Sequence, residues 1–153
     1  MTRVRDTAVG LVAVYGGLSL AVGVLAFLGA RWAHTYFITA ATGDAVAELG
    51  PAFVNTVLLQ LGVTVLALTP VMSTLAGVLV GRGIFQPVRS IQVAAVGGFV
   101  GTLVFGLVVA ALGSLGTAAG SLWTTSYLSV LVAAAVLAAL TGGIGAAVGG
   151  RLA

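Results

Sequence analysis

The chain contains no cysteine. That excludes disulfides, thiol catalysis and thiolate-bound metal. It is also poor in charge, with 6% charged residues, where a soluble domain carries about 25%. So few charges cannot cover a water-facing surface, and lipid must be the main solvent. Most telling is where the charges are missing. No Asp, Glu, Lys, Arg or His lies inside any of the four long apolar runs. Proton-coupled transporters, voltage sensors and rotary rings need an ionisable group within the bilayer. Intramembrane hydrolysis needs a nucleophile with its base, or a metal. The chain therefore reads as no enzyme, with no cofactor and no metal site. No phosphate-cradling glycine loop with a lysine anchor is present either. Small multidrug transporters share the span count, but their membrane-embedded glutamate has no counterpart here.

What is present is apolar mass: 60% hydrophobic residues over 153 positions, with 23 glycines. The fold class expected is all-α, an integral membrane four-helix bundle forming one transmembrane domain over residues 1–153. The spans fall at about 8–30, 52–80, 91–112 and 125–148, with an outer loop at 31–50. The run Thr7 to Ala30 is too long for a signal-peptide core, so it reads as an uncleaved first helix.

The six arginines fix the expected topology. With four spans, Arg3, Arg5, Arg82, Arg89 and Arg151 fall on one side, and Arg31 on the other beside Asp44 and Glu48. This is the positive-inside pattern of a multi-pass cell-membrane protein with both termini cytoplasmic. The arginines sit singly at span ends and form no stripe, which argues against nucleic acid as a partner. Arg82 and Arg89, in the short turn GRGIFQPVRS, also suit lipid phosphate.

The second run, Pro51 to Gly81, is the most polar. It would extend roughly 45 Å as one helix, more than the ~30 Å hydrocarbon core. Pro51 suits a helix start, and Pro70 predicts a kink, since it removes one backbone bond and crowds the preceding turn near Leu66. Asn55, Thr56, Gln60 and Thr64 are its polar residues. Thr56, Gln60 and Thr64 recur every four residues and share one helix face. They are candidates either for contacts between helices or for a path for a neutral or small solute.

Small residues at spacing four predict close helix packing in lipid. The first run has Ala13, Gly17 and Ala21. The third has Ala94, Gly98, Thr102, Gly106 and Ala110. The fourth has Ala134, Ala138, Gly142, Ala146 and Gly150. The third and fourth helices are expected to pack tightly on each other.

In the outer loop, Asp44 is the expected N-cap of a short helix ended by Gly50. Arg31, His34, Asp44 and Glu48 read as solvated charges, since their spacing fits no ligand motif. Trp32-Ala-His-Thr-Tyr36 is echoed by Trp123-Thr-Thr-Ser-Tyr127, and both read as aromatic belts on one bilayer surface. The leading functional expectation is a structural or assembly subunit, with the lipid bilayer around it and a homo-oligomer or another membrane subunit as partner. The alternative is a small channel or carrier lined by the second helix. A surface enzyme using His34, Asp44 and Glu48 is the third class.

Overall fold

A computed structural model describes residues 2–39, 43–84, 86–118 and 121–152. The expected polar cluster falls partly outside it, because the side chains of Asp44 and Glu48 are not among those described. The chain is helical throughout, with no strand among the described residues. Helix α1 covers Thr2–His34 and passes into a π-helical turn, Thr35–Thr39. Helices α2 (Asp44–Ala67) and α3 (Thr69–Gly83) form the second long segment. Helices α4 (Pro87–Leu115) and α5 (Thr125–Arg151) complete the fold. Four apolar helical stretches are long enough to cross a membrane, at Val9–Thr39, Leu49–Gly83, Pro87–Leu115 and Thr125–Arg151.

The region expected to be a loop is mostly helix. α1 continues past Arg31, and α2 already begins at Asp44. Gly43, at φ 125°, occupies the N-cap position, and no side chain caps the helix. That φ is in the range where glycine has no Cβ penalty. Gly50 does not end the helix and Pro51 does not start one, since α2 runs through both. Gly50 instead gives room for a crossing: a Cβ there would meet the Phe37 carbonyl oxygen at 2.8 Å.

The regular bonding of the second segment is interrupted at Leu68, two residues before Pro70, while the Leu68 backbone itself stays helical (φ −82°, ψ −18°). Pro70 lacks the N–H that would bond the Leu66 carbonyl. The Thr69 hydroxyl donates to that carbonyl instead, at 2.7 Å, and Thr69 is buried. The Pro70 carbonyl in turn accepts from Thr74 at 2.8 Å and from Thr141 of α5 at 3.0 Å. The break is thereby hydrogen-bonded and tied to the last helix.

α3 and α5 run parallel and meet backbone to backbone. A Cβ on Gly77 would overlap the Gly142 carbonyl, and one on Gly81 the Ala146 carbonyl. The fit is reciprocal: a Cβ on Gly145 would overlap the Thr74 carbonyl, and one on Gly149 the Val78 carbonyl. Such close approach is what small residues permit in lipid. α4 lies antiparallel to α5, with Gly98 against Ala138 and Gly142 against the Ala94 carbonyl. Gly106 receives the Leu131 side chain. Gly150 is exposed, yet its backbone borders the same seam: a Cβ on Gly81 would lie 2.9 Å from the Gly150 nitrogen. Gly145 and Gly149 supply the other side of the contact.

α1 packs along α4, with Leu11 beside Gly97, Tyr15 over Gly101 and Leu112 against Gly23. The Ala13, Gly17, Ala21 ridge is on the other side of α1. All three are exposed, and a Cβ on Gly17 would have nothing within 4 Å.

The α4–α5 connection is pinned by Leu122. Its side chain is fully buried, packed against Gly62 and Gly113. Its N–H bonds Ser114 Oγ at 3.1 Å. The Thr124 hydroxyl caps α5 by accepting from the Tyr127 N–H at 3.2 Å.

Candidate functional site

The polar face expected on the second segment is formed, but it points away from the other helices. Thr56, Gln60 and Thr64 are all exposed, and Asn55 is half-buried. The Thr56 hydroxyl donates to the Ala52 carbonyl and the Thr64 hydroxyl to the Gln60 carbonyl, each one turn back on its own helix. A shallow groove of about 420 Å³ lies along Val57, Gln60, Leu61, Thr64 and Val65. Within one chain these residues neither line an interior path nor bond across helices.

The interior polar cluster is elsewhere, at the level where all four helical segments meet. Tyr15 of α1, Ser73 of α3 and Thr102 of α4 bring three buried hydroxyls together. Ser73 donates to the Ala138 carbonyl of α5 at 2.5 Å. The Tyr15 and Thr102 hydroxyls face this group without completing a hydrogen bond. Thr102, expected as a packing residue, is therefore also a polar member of the core. Ser73 was legible in the sequence: Ser73, Gly77 and Gly81 form a spacing-four ridge of their own. Tyr15 had only one signal, a phenol in the middle of an apolar run.

Two grooves flank α1 at this level, and Tyr15 contributes to both. One, of about 270 Å³, separates α1 from α4 at Val12, Gly16, Val93 and Val100. The other, of about 450 Å³, separates α1 from α3. Both are almost wholly apolar.

At the far end from Arg82, Arg89 and Arg151, aromatic rings gather. Trp32 stacks on Tyr36 at 5.5 Å between centroids, and Phe37 stacks on Phe53 at 5.7 Å. Trp32, Tyr36 and Trp123 are exposed, as a surface belt requires. Tyr127 is not part of it. It is 0% exposed, against 60% for Tyr36, and its hydroxyl donates to the Gly106 carbonyl at 2.8 Å. The two aromatic motifs are thus structurally unlike. No group of three potential metal ligands occurs among the described residues.

The fold and this site define a class: a bundle of four helices, each long and apolar enough to cross a membrane, joined through glycine seams around a small hydroxyl cluster. Compared with known protein families, curated proteins and solved structures, the chain matches none of them.

Proposed function

We propose that this protein is a non-catalytic integral membrane subunit that works by packing laterally against a second copy or another membrane chain. The observation that carries the reading is the outward ridge of α1. Ala13, Gly17 and Ala21 offer the same small-residue surface that α3, α4 and α5 use to dock, yet nothing covers Gly17. In lipid, where hydrophobicity does not drive helices together, such a ridge favours a close helix partner.

The interior supports this over transport. From Ser73 to Gly81 the α3 backbone lies directly on α5, which leaves no room for a water-filled path. The polar face at Thr56, Gln60 and Thr64 would enclose a path only between chains. A ~30 Å hydrocarbon core measured from Arg82 or Arg151 ends about 20 residues along, near Gly62 and Leu131. Gln60 then lies at the outer boundary, where water satisfies its amide. The residues beyond it, with Trp32 and Phe53, project outside the core. The same reading places both termini and five arginines in the cytoplasm and puts a bend at Pro70, which the break at Leu68 supports.

The test uses Gly17→Leu, which adds bulk where the chain itself leaves space. In mild detergent the wild-type protein should run as an oligomer or with a co-purifying membrane chain. Gly17→Leu should release that partner with helicity unchanged. A wild-type protein that is monomeric and alone in native-like bilayer discs would overturn the proposal.

A further inference from the structure

We infer that the groove between α1 and α3 is a binding site for one anionic phospholipid, with an acyl chain in the groove and the phosphate at Arg82. This rests on the protein spanning a bilayer and goes beyond the packing role.

The groove's walls fit a hydrocarbon chain. Gly10, Leu11 and Val14 of α1 face Leu75, Ala76 and Leu79 of α3 across about 450 Å³. Its length fits one leaflet. From Met72 to Val80 the wall runs ~12 Å at 1.5 Å per residue, against ~15 Å for half of a hydrocarbon core. Tyr15 and Met72 line its end nearest the middle of the helices, and Thr7 and Val80 its end nearest the arginine-bearing helix ends.

Charge selects the headgroup. Leu75, Leu79 and Arg82 follow at i, i+4 and i+7, so one stripe of α3 carries the groove wall and then an exposed arginine. On α1, Arg3 precedes the groove residue Thr7 by four positions, in the same helical register. Each wall therefore leads to a cationic position at the depth of a lipid phosphate. At this end of the bundle the sequence places five arginines against one acid, Asp6. A phosphodiester without a compensating headgroup cation suits this field better than a zwitterion.

Native mass spectrometry of the full chain from mild detergent tests the inference. The probes are phosphatidylglycerol and phosphatidylcholine with the same acyl chains. The wild-type protein should retain phosphatidylglycerol about fivefold better, the preference one basic residue near an anionic headgroup supplies. Arg82→Gln should remove most of that preference and bring the ratio toward equal retention, with helicity and melting unchanged because Arg82 is exposed. Ala76→Phe, which fills the groove, should lose both lipids. Gly17→Leu serves as the control for lateral packing and should keep the wild-type lipid preference even where it dissociates an oligomer. Equal retention of the two lipids by the wild-type protein overturns the site. So does a wild-type preference that survives Arg82→Gln, or lipid retention that survives Ala76→Phe.

Discussion

Replacing Gly77 by alanine should separate α3 from α5. Alanine is ordinarily the better helix former, by about 1 kcal/mol over glycine. At Gly77 that gain meets a wall, because the new methyl overlaps the Gly142 carbonyl and lies within 3.1 Å of the Ala146 nitrogen. Both obstacles are backbone, so no rotamer change relieves them. Overpacking a close interface costs typically 1–3 kcal/mol, and a rigid partner puts this case at the upper end. A net loss of about 2 kcal/mol corresponds to roughly a 30-fold fall in the folding equilibrium constant. Gly17→Ala is the internal comparison, with the same chemical change and nothing within 4 Å. It should be neutral or slightly stabilising. The assay is titration of the purified protein from mild detergent into sodium dodecyl sulfate, followed by far-ultraviolet circular dichroism. Equal midpoints for Gly77→Ala and wild type, or equal losses for the two variants, would refute the backbone-contact account of the α3–α5 seam.

Thr69→Val should destabilise by about 0.6–1 kcal/mol, since it strands the Leu66 carbonyl that Pro70 leaves open. In a Pro70→Ala background, where a backbone N–H is restored, the same change should cost much less; a double-mutant cycle in the dodecyl sulfate titration gives the coupling. Tyr127→Phe should cost a similar amount through the lost bond to Gly106, while Tyr36→Phe should leave the midpoint unmoved. Leu122→Ala should cost about 2–5 kcal/mol for an emptied, fully enclosed site, read as a lower melting temperature. Gln60→Cys should react rapidly with a membrane-impermeant thiol reagent in intact cells, and Ser73→Cys should not; an unlabelled position 60 beside a labelled position 36 would contradict the depth assigned to Gln60.

The presence of four long apolar helices was legible because length and apolarity are properties of a run of residues. Which side of each helix faces inward was not. In a soluble helix, polarity marks the outer face, but in lipid the inside and outside of Val96 and Val109 are equally apolar. Small residues are then the only guide, and 23 glycines offer too many stripes. The ridges on α4 and α5 lie where those helices meet, while the one on α1 faces outward. Thr56, Gln60 and Thr64 share a face by their spacing, but a face has no direction until its neighbours are known. Tyr36 and Tyr127 share a local motif, and only the packing of α5 on α4, with the Gly106 carbonyl in reach of Tyr127, distinguishes a surface ring from a buried one. Within the loop expected at 31–50, residues 31–39 and 44–50 are helical, and Gly50, read as an end, lies inside α2 against the Phe37 carbonyl.

The α3–α5 seam has a consequence for how the protein is made. The ribosome delivers Gly77 long before Gly142, and α4 lies between them in the chain. During that interval α3 has its grooves open and its future partner is unwritten. The Pro70 carbonyl lacks the Thr141 hydroxyl, and the Gly77 face lacks the Gly142 and Ala146 backbone that later covers it. The fold thus closes from its last helix backward, and a nascent chain halted before Ala138 would hold a second segment that is formed but not yet locked.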